Sequence, residues 1–417
     1  MERMTRTARQ RLSGRGIAWA MMAAATSVGS VTHADTTDAS RAELAELKSS
    51  AASGAPAGHD GSGFFIGSED GAFKLKIGGQ IQFRYVANFR DEPTDSDDDY
   101  TGGFQTRRER LEFSGNVINK ETTFLIQTDF SRSNGGASLL DAWVRHSFNE
   151  NWSLRFGQFK APLLREELVS GKRMLAADRS ITNGVFTQAR SQGIQLEYDA
   201  DRVKLAGAFT DGLNTLNTDF DSSTEADYGL TGRAEILLKG DWKRFADFTS
   251  WRGSDFGAMV GVAGHWQSGG STGGTTDTDV LEYTVDLSLE GNGWNAFAAF
   301  IGRSTDPASG EDVDDFGVVV QGGAFLTDKT ELFARYDVVM PDDDRGSSSD
   351  DFSTVTVGVN HYFIEKSHAA KFTADLLYFI DAQSDSSSLV SRSTGVGLLP
   401  DTEEGQVAAR LQFQLLF

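Results

Sequence analysis

The side chains best able to do chemistry in this sequence are basic, and they gather early in the chain. Lys74, Lys76 and Arg84 share one parity of a stretch that starts at Phe73. Arg108 and Arg110 share the parity of Glu112 in the next stretch, and Arg107 stands beside them. Lys160, Arg165, Lys172, Arg173, Arg179 and Arg190 crowd the segment from Lys160 to Gln192. Grouped guanidinium and ammonium groups attract anions without making or breaking a covalent bond, because they supply charge and directed N–H donors. If the group faces water, it is a filter for small anions. If it faces Glu166, Glu167, Asp178, Asp129 and Asp141, which lie nearby in sequence, it is charge balance in a rigid wall. The sequence supports both readings.

Covalent chemistry has little to work with. There is no Cys, hence no thiolate nucleophile and no disulfide. The six histidines are His33, His59, His146, His265, His361 and His368. None is accompanied by a serine motif of nucleophile-elbow type or by a second His at zinc spacing, and there is no glycine-rich phosphate loop. A phospholipase or protease is therefore disfavoured, and no catalytic residue, metal ligand or cofactor is assigned. Asp95-Ser-Asp97-Asp-Asp99 opens like a calcium loop, but Tyr100 stands where the sharp turn needs Gly and Thr106 where the bidentate Glu belongs. The formal net charge of −21 makes nucleic acid an unsuitable partner, since phosphates require a basic surface. Much of the acid sits in Asp97 to Asp99, in Asp219, Asp221 and Glu225, and in Asp342 to Asp344. These read as solvated loops, which meet lipopolysaccharide phosphates only through bridging divalent ions.

The elements that must carry these groups have a two-residue period. Phe73, Leu75, Ile77, Ile81, Phe83 and Tyr85 alternate with Lys74, Lys76, Gln80, Gln82 and Arg84. Leu281, Tyr283, Val285, Leu287 and Leu289 alternate with Glu282, Thr284, Asp286, Ser288 and Glu290. Near the end, Leu411, Phe413, Leu415 and Phe417 alternate with Arg410, Gln412 and Gln414. About sixteen such segments are present, starting near residues 73, 104, 122, 139, 152, 193, 202, 227, 256, 280, 294, 315, 330, 352, 370 and 405. Strands of roughly ten residues cross a bilayer at a tilt, while no apolar run reaches the roughly 20 residues of a membrane helix. A terminal amphipathic strand invites aggregation in a soluble sheet but not in a closed one. The fold expected is all-β: a transmembrane antiparallel β-barrel of about sixteen strands, with apolar parity to lipid and polar parity to the lumen.

The connections agree. Asn119-Lys120, Asn149 to Asn151, Asp199 to Asp201, Gly291 to Gly293 and Thr327 to Lys329 are short, and long segments alternate with them. Turns on the periplasmic side and loops on the outer side give this alternation. Asp241 to Ser254 is an exception, long where a short turn belongs. Residues 1–34 read as a secretory signal peptide, with Arg3, Arg6, Arg9, Arg11 and Arg15 before an apolar run. Residues 35–63 form a polar leader and residues 64–417 the barrel. The location expected is the outer membrane of a Gram-negative bacterium.

The sequence from about Phe64 onward resembles the phosphate-selective porin O and P family. The resemblance is carried by Phe104-Gln-Thr-Arg-Arg-Glu-Arg-Leu-Glu-Phe-Ser-Gly115, Thr128-Asp-Phe-Ser-Arg132, Leu139-Leu-Asp-Ala-Trp-Val-Arg145, Phe156-Gly-Gln-Phe-Lys-Ala-Pro162 and Glu331-Leu-Phe-Ala-Arg-Tyr336. A terminal Phe, here Phe417, resembles the assembly signal of outer-membrane barrels. The family resemblance implies a homotrimer of sixteen-stranded barrels, with the third outer loop (here Lys160 to Gln192) folded into the pore. It also implies a basic ladder: Arg84, Arg107, Arg108 and Arg110 as pore-lining, anion-attracting residues, with Lys172 and Arg179 on the loop. Asp129 and Glu167 are the acidic residues expected at the constriction. Glu167 stands where the family's better-known members carry a lysine central to phosphate binding, a departure at the position that matters most for phosphate. Strand phase also points Arg107 outward.

The function expected is that of an outer-membrane porin, a water-filled channel for passive diffusion of small solutes with a preference for anions such as phosphate. The alternative is a general or weakly cation-selective porin of the same fold. A surface receptor or adhesin barrel is the reading from another class.

Overall fold

The computed structural model describes residues 56–60, 63–94, 98–130, 134–270, 277–348, 350–383, 389–392 and 395–417. The signal peptide, most of the leader and Asp95 to Asp97 of the acidic run lie outside them. Two short strands come first, β1 (Ala57–His59) and β2 (Phe64–Gly67). Sixteen long strands follow among the described residues. They begin with β3 (Lys74–Phe89), β4 (Tyr100–Asn116), β5 (Thr122–Phe130), β6 (Ala137–Ser147), β7 (Trp152–Phe159) and β8 (Ser191–Asp199). The next are β9 (Val203–Thr210), β10 (Tyr228–Lys239), β11 (Gly257–Ser268), β12 (Thr278–Gly291) and β13 (Trp294–Pro307). The last are β14 (Val313–Phe325), β15 (Thr330–Met340), β16 (Phe352–Tyr362), β17 (Ala370–Phe379) and β18 (Val407–Leu416). Each of the sixteen starts lies within four residues of the start expected from periodicity.

Every neighbouring pair is antiparallel, and β18 returns to β3, with Leu415 opposite Ile81 and Val407 opposite Phe89. The sheet is thus a closed sixteen-strand barrel, and over the paired stretches the wall backbone groups bond to each other without water. At the closure, Gly79 N donates to Phe417 O at 2.8 Å and Phe417 N to Gly79 O at 3.1 Å. A Cβ at position 79 would lie 2.5 Å from the Phe417 ring, so glycine lets the ring lie against the backbone here.

The faces are inverted relative to a water-soluble barrel. Leu411, Phe413 and Leu415 are 42–49% exposed, whereas Arg410, Gln412 and Gln414 on the same strand are 2% exposed or less. An apolar outside and polar inside is the stable solution when the outer solvent is hydrocarbon. Aromatic pairs mark the ends of the apolar band, Trp152–Tyr198 at 4.8 Å and Phe256–Trp294 at 6.2 Å on the short-turn side. The amphipathic Trp and Tyr rings favour the membrane interface.

The connection between β7 and β8 carries two single-turn helices, α1 (Arg165–Leu168) and α2 (Ile181–Phe186). Ser180 caps α2, its side chain accepting from Asn183 N at 2.9 Å. Leu163, Leu164, Ile181 and Phe186 of this connection pack with Ile301, Val339, Phe352, Leu377 and Phe379 of the wall. Those wall residues are apolar where the parity calls for polar groups, and burial under the connection supplies the reason.

Candidate functional site: the charged inner wall

One irregularity in β4 decides where its arginines point. Gln82 pairs with Arg108 but Phe83 pairs with Thr106, which leaves Arg107 as an extra residue on β4. Such a β-bulge re-aims side chains and breaks strict alternation. Arg107 therefore turns inward beside Arg108. This corrects the outward orientation expected from simple phase.

Both arginines meet Asp178, on the connection between β7 and β8. Arg107 Nε lies 2.5 Å from Asp178 Oδ2, Arg108 Nη2 2.6 Å from Oδ1, and Arg84 Nη1 of β3 3.2 Å from Oδ2. The backbone carbonyl of Asp178 accepts from Arg335 Nη1 at 3.0 Å. Burial alone would raise the Asp178 pKa, but Arg107, Arg108 and Arg84 outweigh it and hold the carboxyl well below its usual range.

The remaining candidates are paired as well. Arg110 Nη2 lies 3.0 Å from Asp129 Oδ2, and the two residues sit directly opposite each other on β4 and β5. Lys172 Nζ is 3.4 Å from Glu112 Oε2. Arg179 Nε is 3.2 Å from Glu167 Oε2, while Lys160 Nζ is 3.3 Å from Glu167 Oε1. Asn183 Nδ2 donates to Glu167 Oε2 at 3.2 Å. Burial opposes ionisation of Glu167, yet Arg179, Lys160 and Arg190 hold its pKa at about 2. Lys160 goes the other way: burial lowers it to about 7, only partly offset by Glu167.

The connection between β7 and β8 meets inward side chains of strands around the ring. Besides Arg84, Arg108 and Arg335, Leu163 O accepts from Arg233 Nη1 at 2.9 Å, Val185 O from Arg303 Nη1 at 3.2 Å, and Ala177 N donates to Asp375 Oδ2 at 3.0 Å. Periodicity alone did not single out Arg233, Arg303 or Asp375, and it gave Arg410 a face but no partner. A signal existed for some. Arg303 is directly opposite Glu282 at 2.6 Å, and Arg410 directly opposite Asp375 at 2.7 Å. Opposite charges at paired register positions are the mark of such bridges, but register is not given by periodicity. Lys74 and Lys76 lie away from this cluster, with Lys76 Nζ 3.1 Å from Asp60.

Solvent reaches the inner wall unevenly. The side chains of Arg145 and Lys172 are 27% and 29% exposed, whereas those of Arg410 and Asp375 are at 0%. The open side holds a cavity of about 320 Å³ between Lys160, Arg145, Arg155, Glu197, Lys204 and Arg233. His265, the inward histidine, faces Thr231 Oγ1 at 2.9 Å and Gln267 Oε1 at 3.1 Å. Among the described residues no group of three or more His, Cys, Asp or Glu has a metal-binding arrangement.

Comparison with known proteins agrees with this architecture. Residues 75–236 match the model of the family "Phosphate-selective porin O and P". None of the curated proteins matches the chain. Among solved structures, the anion-selective porin from Comamonas acidovorans is similar at 13% identity and a TM-score of 0.56, covering 82% of this chain and 99% of its own. Salmonella typhi OmpF, in complex with daunomycin, is similar at 15% identity and a TM-score of 0.57, covering 84% and 99%. Outer-membrane expressed OmpT of Vibrio cholerae is similar at 14% identity and a TM-score of 0.54, covering 83% and 98%.

Proposed function

We propose that this bacterial outer-membrane porin, which carries the phosphate-selective porin O and P signature over residues 75–236, is a weakly selective diffusion channel for small hydrophilic solutes. The observation that carries the reading is the pairing of the six pore-lining candidates with carboxylates: Arg84, Arg107 and Arg108 with Asp178, Arg110 with Asp129, Lys172 with Glu112, and Arg179 with Glu167. A guanidinium already bonded to an internal carboxylate has few donors left for a passing phosphate, and displacing that carboxylate costs its desolvated bonds. Strong phosphate capture is therefore not expected.

A mild anion preference is. Three arginines converge on the single carboxylate of Asp178, so that cluster keeps excess positive charge. The β7–β8 connection narrows the lumen, and solutes pass on its open side, along Arg110, Arg145, Arg155 and Lys172. Selectivity then follows from pore radius and field alone. The chain is exported by its 1–34 segment and acts as a homotrimer; a Vibrio cholerae OmpT structure of the same fold is described as a trimer form. Inward charges serve the solute path, the apolar outer face meets lipid, and the acidic loops meet lipopolysaccharide through divalent ions. Reconstitution into a planar bilayer tests the reading. Stepwise ohmic conductance with weak selectivity supports it, and a silent protein refutes it.

A further inference from the structure

Asp241 to Ser254 lies at the end of the barrel where the other turns are short. Its course accounts for its length. Trp242 Nε1 donates to Ala200 O, in the β8–β9 turn, at 3.0 Å. Gly253 N donates to Asn292 Oδ1, in the β12–β13 turn, at 2.6 Å. Arg252 Nη1 reaches Leu326 O in the β14–β15 turn at 3.3 Å. Asp247 Oδ2 lies 3.3 Å from His368 Nε2, in the β16–β17 turn. The segment thus touches four other turns that together span half the circuit of the rim.

Between those anchor points the segment is packed inward. Phe248 sits 4.9 Å from the Phe297 ring and shares one apolar cluster with Val169, Met174 and Leu175 of the β7–β8 connection. Arg165 of that connection donates to Phe245 O. Trp251 packs at 4.7 Å on Tyr362, whose hydroxyl faces Thr249 Oγ1 at 3.3 Å. A surface turn has no reason to bury Phe245 and Phe248 to 3% exposure each, because turns normally lie on the surface.

We infer that Asp241 to Ser254 is a strap across half of the turn-side mouth. It supports the β7–β8 connection from below and confines the exit to the side of β6 to β9, where Arg145, Arg155 and Lys204 face Glu197 and Asp199. The inference rests on the porin reading, and one bilayer experiment separates the two. Residues 242–252 are replaced by a short glycine-containing turn, and Phe248→Ala is made as a milder variant that keeps the chain length. Both are compared with the full-length protein by single-channel conductance, with barrel integrity checked by heat-modifiable gel mobility. The strap predicts conducting wild-type channels, a clear rise in conductance for the replacement, and a smaller rise or added current noise for Phe248→Ala. Conducting wild-type channels with both variants unchanged would overturn the strap alone. A silent wild type would remove the porin reading beneath it. Should the replacement fail to assemble, an unchanged Phe248→Ala conductance still overturns the inference.

Discussion

Arg108 Nη2 lies 2.6 Å from Asp178 Oδ1, and this contact ties the second long strand to the middle of the β7–β8 connection. Both side chains are nearly solvent-free, at 3% and 4% exposure. Through Asp178 the same carboxylate also gathers Arg107 and Arg84. In the reading proposed above, Asp178 supplies the counter-charge that a bound anion would otherwise bring to these three arginines. The chain keeps a basic strip but supplies its counter-charge from within.

Removing that counter-charge has a definite consequence. Asp178→Asn leaves three arginines without their carboxylate, two of them buried, and breaking a buried pair from one side typically costs about 3–5 kcal/mol. The barrel is expected to melt at lower temperature, while the reversal potential under a salt gradient moves toward the anion potential. A variant with unchanged selectivity would place the cluster off the solute path.

Glu167→Gln releases Lys160 and Arg179 from their shared carboxylate. Anion preference should rise at acidic pH, where Lys160 stays charged without its partner, and resistance to mild acid should change in a known direction. Glu167 is held at about 2 against an ordinary 4.5, so its stabilisation is present above about 4.5 and is lost as the pH falls toward about 2. Thermal melts across that window should show a smaller acid dependence in Glu167→Gln than in the parent.

Lys160 offers a second pH test near neutrality. Burial lowers its pKa to about 7, so it carries charge below that value and loses it above. The lumen beside it is therefore more positive on the acidic side. Anion preference should fall as the pH rises through about 7, and Lys160→Arg should abolish that change, because a guanidinium stays protonated. A pH-independent reversal potential in the parent would contradict the assignment.

The inverted faces predict an asymmetric response to charge on β12. Val285 is outward and 46% exposed. Val285→Arg is expected to cost about 2–4 kcal/mol if it lies near the bilayer midplane. Unfolding measured in lipid vesicles checks this, and a neutral effect would argue against a hydrocarbon-facing wall.

Much of this was legible in the sequence, for a physical reason. A strand with lipid outside and water inside must alternate at every step, so Leu281 to Glu290 or Arg410 to Phe417 announces both its conformation and its faces. Sixteen strands and the inward direction of Arg84, Arg108 and Arg110 follow from that rule. Strand phase alone sends Arg107 outward, against its expected place in the basic ladder, because a single bulge opposite Gln82 resets the phase and no composition signal marks it. Asp178 is legible as one possible counter-charge, but not which arginines it takes: it joins residues 70 and 94 positions away, through a connection whose path depends on tertiary packing. Cross-strand bridges such as Arg410 to Asp375 become readable only once register is known. The long 241–254 segment showed its anomaly in the sequence but not its cause, which lies in contacts with four distant turns.

The most direct test of the account is the reversal potential of single channels in a planar bilayer under a KCl gradient, with phosphate then added as a blocker. A compensated lumen predicts open channels, a weak anion preference and chloride current that phosphate does not block. Strong anion selectivity with saturating phosphate block would contradict it, because arginines committed to Asp178 could not also hold a phosphate.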